Sequence, residues 1–126
     1  MVLDLVEGEE LEKKILNANR QLEEDKIRIF AWQMFSAVRY LHSQGVVHRD
    51  LKPDNFIVDS QGNLHLIDFN VARLFVKGRD NMLTQTGTPL YSAPEMFGVT
   101  PYNEKVDIWS IGVILFQMMA GGALPF

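Results

Sequence analysis

The sequence predicts an α+β fold that is mainly helical and contains one small β-hairpin. Two long segments, about 24–43 and about 104–120, repeat their apolar residues at helical spacing. Two short β-rich segments, 56–58 and 64–67, are joined by the turn-forming residues 59–63, which indicates a hairpin. A chain of 126 residues has room for one small core, so we expect one domain or part of one.

The remaining elements follow from local patterns. Residues 2–6 are typical of the end of a strand, and the polar residues 7–10 lead into a short helix near 11–16. Val46 and Val47 predict a further short strand. Residues 69–88 are rich in turn formers, and a connection of that length favours a functional loop.

The helix over 24–43 has one apolar face and a clear end. Gly45 supplies the stop signal. The residues of the apolar face lie three and four positions apart: Ile27, Phe30, Ala31, Met34, Val38 and Leu41.

Composition and charge exclude several classes of protein. The net charge is −4 and no basic block is present, which argues against nucleic-acid binding. The chain contains no cysteine, so disulfides and thiolate zinc sites are excluded. Its most apolar stretch, 108–120, is interrupted by Ser110 and Gln117 and is shorter than the roughly 18–20 residues that span a bilayer, so we expect no membrane association. We expect an intracellular and cytoplasmic protein, because the N-terminus also has no secretory leader.

Three short motifs contain the residues that could carry chemistry: HRDLKPDN at 48–55, DFN at 68–70 and GTPLYSAPE at 87–95. Asp50 lies in a loop between predicted strands, and Asp68 ends the second strand of the hairpin. Phosphoryl transfer needs an acidic group to orient a hydroxyl, a cation near the phosphate and oxygen ligands for magnesium. The motifs offer each of these groups.

The three motifs resemble those of the eukaryotic protein kinase superfamily, and the first matches its catalytic loop at every defined position. The resemblance implies the large C-terminal lobe of a kinase domain, truncated at both ends, with ATP and Mg2+ as cofactors. It divides residues 1–126 of this partial domain into a hinge at about 1–8, a catalytic loop at 48–55, an activation segment at 68–95 and a last helix at about 104–120.

The resemblance also implies a role for each polar residue of the first two motifs. Asp50 is expected to be the catalytic base, and Lys52 the cation that contacts the phosphate. Asn55 is expected to be a magnesium ligand, and Asp68 the principal one. Lys52 and Pro53 after Asp50, together with Thr88 in the third motif, resemble serine/threonine kinases more than tyrosine kinases.

In the activation segment, Thr88 resembles a residue that hydrogen-bonds toward the catalytic aspartate. Thr84 and Thr86 are candidates for activating phosphorylation or plain loop threonines. Arg49 resembles the cation that pairs with such a phosphate. Glu95 would be a buried carboxylate without the arginine that pairs with it in the family, which would cost stability.

The resemblance assigns residues to the nucleotide and to the substrate. The ATP-binding set is Leu3, Asp4, Leu5, Val6, Glu10, Leu11 and Ile57. Leu11 and Ile57 are expected to form the floor of the adenine pocket, backed by Ile114 and Met118 of the last helix. Glu10 and Asp54 also lie where kinases that prefer basic substrates hold arginines, so we expect a protein substrate that is basic near its phosphorylation site. Glu12 is interpreted, with most neighbouring glutamates, as part of a solvated face.

Four residues resemble the structural framework of the family. His48 is expected to pack beside Phe69, and Asp107 to anchor the catalytic loop by accepting backbone hydrogen bonds, in a motif that Trp109 continues. No ligand partner lies at useful spacing from His42 or His65, so neither receives a role.

Two departures from the family affect the prediction of activity. Asn70 replaces the glycine of the usual DFG triplet, at a position where the backbone often needs unusual dihedral angles. Asparagine tolerates the left-handed region better than most residues, so we expect that the loop still forms. By the resemblance the chain begins at the hinge, so the glycine-rich loop and its lysine lie outside it, and we expect weak ATP binding and little activity. The alternative is a non-catalytic binding module of the pseudokinase type.

Overall fold

The computed structural model describes residues 5–18, 22–77 and 82–126. It contains three α-helices, α1 (Leu11–Asn17), α2 (Glu24–Ser43) and α3 (Val106–Met119). The strands, all of two or three residues, are β1 (Glu9–Glu10), β2 (Val46–Val47), β3 (Phe56–Val58), β4 (Leu64–Leu66) and β5 (Arg73–Leu74). Single 3-10 turns occupy Pro53–Asn55, Pro89–Tyr91 and Pro94–Phe97.

Two small antiparallel sheets flank the HRDLKPDN loop. One has the strand order β1-β3-β4, and the predicted hairpin pairs Phe56 with Leu66 and Val58 with Leu64. The other pairs β2 with β5, with Val47 opposite Arg73. Because the loop leaves β2 and enters β3, its two ends belong to different sheets.

The turn of the hairpin is organised by Asp59. Its carboxylate accepts hydrogen bonds from the backbone N–H groups of Gln61 and Asn63 and bonds to His65 Nε2 at 2.8 Å. These bonds, led by the one from His65, hold the pKa of Asp59 well below its usual range. His65 therefore has a structural partner, which the sequence analysis did not assign.

The main core lies between α2 and α3, with α1 and β3 packed against it. Of the predicted apolar face of α2, Ile27, Phe30, Met34 and Val38 are buried. A second cluster joins residues of the activation segment to neighbouring elements and contains Val47, Phe75, Met82, Ala93, Met96, Tyr102 and Val106. Within the described ranges, no helix is long and apolar enough to cross a membrane.

Polar side chains of α3 tie the activation segment to the core. Ser110 Oγ donates to the carbonyl of Tyr91 at 2.8 Å, and the Tyr91 hydroxyl donates to Gln117 Oε1 at 2.9 Å. Both bonds are buried. The helix α3 is apolar almost all round, and two of its few polar side chains hydrogen-bond to Tyr91 of the GTPLYSAPE motif.

The first strand begins later than the sequence indicates. Of the predicted strand over 2–6, residues 2–4 lie outside the described ranges, and Leu5 and Val6 belong to no strand. Pairing starts instead at Glu9, opposite Val58. A Cβ at Gly8 would lie 2.3 Å from the Val58 carbonyl oxygen, so glycine is what allows the chain to approach β3 at this point.

Candidate active site

The catalytic loop is anchored by a buried carboxylate at the start of α3. Asp107 is 1% exposed. Its oxygens accept hydrogen bonds from the backbone N–H of His48 at 3.0 Å and of Arg49 at 2.9 Å. Those two bonds satisfy donors that the tight turn would otherwise leave unpaired, and they fix the loop to the core.

His42 is a third partner of Asp107. Its Nε2 lies 2.8 Å from Asp107 Oδ2, and its ring meets Phe75 edge-on at 6.1 Å. The expectation that His42 has no role is therefore wrong, because it helps hold the carboxylate that anchors the loop. The residues are 65 positions apart, and the sequence carries no signal that connects them.

Asp50, Lys52 and Thr88 form a hydrogen-bonded triad. The Thr88 hydroxyl donates to Asp50 Oδ1 at 2.8 Å and accepts from Lys52 Nζ at 2.9 Å. Lys52 Nζ also lies 3.6 Å from Asp50 Oδ2. The carboxylate is therefore held in one orientation beside a cation, and the hydroxyl belongs to the activation segment.

His48 is fully buried beside Phe69. Its Nδ1 accepts a hydrogen bond from the backbone N–H of Asp50 at 3.3 Å. A neutral ring with Nδ1 as acceptor carries its proton on Nε2, which has no hydrogen-bond partner among the described residues. The Phe69 ring lies 5.1 Å away at 65°, so His48 contributes packing and one backbone contact.

Asn55 connects the catalytic loop to the strand end that precedes Asp68. Its side-chain Nδ2 donates to the backbone carbonyl of Asp50 at 2.8 Å, and its backbone carbonyl accepts from the Ile67 N–H at 2.8 Å. The side chain is buried, and its amide oxygen makes no hydrogen bond within the described part of the chain. That oxygen is therefore free to accept another partner.

Asp68 is held over the loop by its two neighbours. Ile67 is bonded to Asn55, and Phe69 packs on His48. The Asp68 side chain is exposed, and its Oδ1 accepts from the backbone N–H of Asn70 at 3.2 Å, which leaves Oδ2 open. The two contacts set the position of a carboxylate that is itself accessible.

The left-handed backbone conformation occurs at Asp68 and not at Asn70. Asp68 has φ 60° and Arg49 has φ 70°, and among the described residues no other non-glycine residue has positive φ. The tolerance of asparagine for this region is therefore not needed at position 70. Strained conformations of this kind concentrate at functional sites, and here they fall on one residue of each of two motifs.

The oxygen atoms of Asn55 and Asp68 suit a magnesium ion. Mg2+ prefers oxygen donors and is usually bound by one or two carboxylates together with substrate phosphates. The free amide oxygen of Asn55 and the free Oδ2 of Asp68 are such donors. No group of three or more His, Cys, Asp or Glu side chains suited to a metal occurs in the described ranges.

Arg49 faces the activation segment. Its Nε donates to the Val71 carbonyl at 2.7 Å, and its Nη1 lies 3.4 Å from the Tyr102 hydroxyl. The same hydroxyl donates to the Thr84 carbonyl at 2.5 Å. Sequence analysis did not single out Tyr102, because no motif on either side of it points to this contact.

Other residues of the activation segment and of α3 lie nearer the surface. Thr84 is exposed and Thr86 is half-buried. Glu95 is exposed, so the expectation of a buried, unpaired carboxylate is wrong and no desolvation cost arises. Trp109 is partly exposed and stacks on Phe126, with ring centroids 5.7 Å apart.

The residues assigned to adenine are not gathered into one surface. Leu3 and Asp4 lie outside the described residues, Leu5 is 86% exposed and Val6 is half-buried. Leu11 is fully buried in the main core with Ile114 and Met118, so its side chain offers no surface to a ligand, whereas that of Ile57 is partly exposed.

An acidic group adjoins the triad on the side of α1. Burial raises the pKa of Glu12 to about 7, and Asp54, which hydrogen-bonds to it, and the charge of Glu10 act in the same direction, while Lys52 opposes them. Burial, followed by the charge of Glu12, raises the pKa of Tyr91 to about 12. Glu12 is therefore part of this group, and its interpretation as a plain solvated residue is wrong.

Comparison with known proteins identifies the class of protein. The family model described as "Protein kinase domain" matches residues 1–126. The chain belongs to the protein kinase family.

Individual relatives agree with this assignment. The chain is 46% identical over 127 residues to CBL-interacting serine/threonine-protein kinase 8 of Arabidopsis thaliana, which it covers over 28% of its length with all of its own residues aligned. It is 44% identical over 132 residues to the ovarian-specific serine/threonine-protein kinase Lok of Drosophila melanogaster, and spans 27% of that protein, again with the whole chain aligned. The chain thus corresponds to little more than a quarter of each relative.

Proposed function

We propose that this chain forms the phosphoryl-transfer part of a serine/threonine protein kinase, which moves phosphate from ATP to serine or threonine hydroxyls of proteins. The observation that carries the proposal is the triad of Asp50, Lys52 and Thr88, held against the core through Asp107. It combines an oriented carboxylate, which can position a hydroxyl, with a cation, which can contact the phosphate, and this reaction needs both groups.

Asp50 is the group that receives and orients the substrate hydroxyl. The Thr88 hydroxyl donates to Oδ1, whereas Lys52 Nζ lies 3.6 Å from Oδ2, beyond hydrogen-bond distance. Oδ2 is therefore the oxygen that can accept the proton of the substrate hydroxyl. Lys52, which already contacts both partners, supplies positive charge for the phosphate being transferred.

Asn55 and Asp68 are the proposed magnesium ligands. When bound, Mg2+ neutralises charge on the phosphates of ATP. The protein contributes the amide oxygen of Asn55, fixed by the bond from Nδ2 to the Asp50 carbonyl, and the accessible carboxylate of Asp68. Leu5, Val6 and Ile57 remain candidates for contact with the adenine ring.

The acidic group of Glu10, Glu12 and Asp54 supports a basic protein substrate. These carboxylates lie close enough to one another and to Lys52 to change the pKa of Glu12. A substrate arginine beside them would be attracted by the carboxylates of Glu10 and Asp54 and would favour release of the proton that Glu12 holds. The group therefore favours substrates with a basic residue near the phosphorylated hydroxyl.

The second candidate is a non-catalytic kinase-like binding module. It is favoured by the stacked rings of the partly exposed Trp109 and the largely exposed Phe126, a surface that a partner protein could cover. The two candidates differ in nucleotide binding. Only the first predicts that ATP with Mg2+ raises the melting temperature, because a ligand that binds the folded state stabilises it.

The decisive measurement is phosphate transfer by the expressed protein that contains this chain. A suitable substrate is a peptide with one serine flanked by arginines. We expect Asp50→Asn to lower kcat by about 100-fold or more, the usual range for loss of a general base. The matched control is Asp25→Asn, which changes an exposed aspartate of α2. Equal kcat for Asp50→Asn and the unmodified protein would refute the proposal.

A further inference from the structure

Tyr102 is held in place by contacts that do not involve its hydroxyl. Its backbone pairs with that of Met82 through two hydrogen bonds of 3.0 and 2.9 Å. Its ring is 4% exposed and packs in the cluster that contains Val47 and Phe75. The ring position is therefore set by packing and pairing, and the hydroxyl is available for another purpose.

The hydroxyl lies between the activation segment and the catalytic loop. A phenol has one proton to donate, and here it goes to the Thr84 carbonyl at 2.5 Å. The oxygen consequently presents a lone pair to Arg49 Nη1, at a longer 3.4 Å. Among the described residues no carboxylate lies within ion-pair distance of the Arg49 guanidinium, so the Tyr102 hydroxyl and the Val71 carbonyl are the polar contacts of that group there.

The same stretch of the activation segment meets the loop again a few residues later. Gly87 has φ 93°, and a Cβ there would lie 2.6 Å from the Arg49 carbonyl oxygen. Thr88 then donates to Asp50. Residues 84–88 are thus fixed at one end by Tyr102 and at the other end by the triad.

We infer that Tyr102 is a positioning residue of the phosphoryl-transfer site. Its hydroxyl donates to the Thr84 carbonyl and accepts from the Arg49 guanidinium. These bonds keep residues 84–88 in the position in which Thr88 donates to Asp50. We call Tyr102, Arg49 and Thr84 the Tyr102 clamp. The consequence for catalysis rests on the proposed function, whereas the clamp itself can be tested without it.

The test removes one oxygen atom by Tyr102→Phe and follows both ends of the clamp by NMR. We expect the Thr84 methyl group to become more mobile. The Arg49 Nη1–H group, which loses its acceptor on Tyr102, is expected to exchange with solvent about tenfold faster, the factor that corresponds to loss of a hydrogen bond worth about 1.4 kcal/mol. In the full protein, kcat should fall by about three- to tenfold with KM for ATP unchanged.

Tyr91→Phe is the matched control, since it also removes a buried tyrosine hydroxyl, which donates to Gln117 and does not touch Arg49. It should leave both NMR signals unchanged. Arg49→Lys is a second variant that keeps the bond from Tyr102 to Thr84. Combined with Tyr102→Phe, it should reduce kcat by less than the product of the two single factors, because both remove one contact.

Three results would overturn the inference: unchanged Thr84 and Arg49 signals in Tyr102→Phe, the same changes in Tyr91→Phe, or fully multiplicative effects of Tyr102→Phe and Arg49→Lys. Failure of the proposed function is a separate outcome. A protein that transfers no phosphate but shows the two NMR changes would keep the clamp and lose only its catalytic consequence.

Discussion

The catalytic loop and the segment that precedes α1 are held in different ways. The loop is bonded to a buried carboxylate at Asp107 and to the strand end before Asp68. In the preceding segment Leu5 is almost fully exposed, and regular pairing begins only at Glu9. The phosphate-transfer side of the proposed site is therefore fixed by contacts among the described residues, whereas the side assigned to the adenine ring depends on few of them.

Removing the anchor of the loop should have the largest effect. Asp107→Ala leaves the backbone N–H groups of His48 and Arg49 without their acceptor, and each buried donor left unpaired costs about 1–3 kcal/mol. We expect the free energy of unfolding to fall by about 3 kcal/mol or more, measured by urea denaturation monitored by circular dichroism.

Asp25→Ala is the control for this measurement, since Asp25 is exposed and has only a long ion pair with Arg28. Its effect should stay within about 0.5 kcal/mol. Similar losses in the two variants would show that Asp107 contributes no more to the free energy of unfolding than a surface aspartate. The catalytic loop would then be held no more firmly than the segment before β1.

The difference between local and distant contacts explains which features of the fold and the site the sequence could predict. The bounds of α2 and the hairpin follow from patterns within a few residues, and so does the presence of Asp50 and Asn55 in one loop. The bond between His42 and Asp107 and the contact between Arg49 and Tyr102 join residues more than 50 positions apart. No local pattern encodes such pairs, because they depend on how α2, α3 and the activation segment pack.

One further error has a physical cause of its own. Leu11 has the residue type expected for an adenine contact, but in the fold its side chain fills the core beside Ile114. The sequence also did not indicate that Asp68, two residues before Asn70, has positive φ. Residue preference ranks Asn above Asp for that conformation only weakly, so the path of the chain decides which residue adopts it.

Glu12 offers a smaller effect, where α1 meets the catalytic loop. Folding raises the pKa of Glu12 from its ordinary 4.5 to about 7. Between these values the folded chain holds a proton that the unfolded chain has released, so this group makes stability fall as the pH rises from about 4.5 to about 7. We expect the free energy of unfolding to decrease less between pH 5 and pH 8 in Glu12→Gln than in the unmodified protein.

Urea denaturation at the two pH values gives this difference, and Glu7→Gln is the control, because Glu7 is an exposed glutamate that precedes β1. Glu7→Gln should follow the unmodified protein. A Glu12→Gln variant with the same pH dependence as Glu7→Gln would show that the acidic group beside Lys52 is fully solvated, which would also weaken the case for a basic substrate.

The smallest effect is expected in the segment before β1. Leu5→Ser replaces an apolar side chain that is 86% exposed, so we expect the free energy of unfolding to change by less than about 0.5 kcal/mol. Leu11→Ala serves as the positive control, because truncating a fully buried leucine costs about 2–5 kcal/mol. A loss of more than 1 kcal/mol in Leu5→Ser would mean that this segment packs on the rest of the chain in solution. The adenine side of the site would then be as firmly built as the catalytic loop.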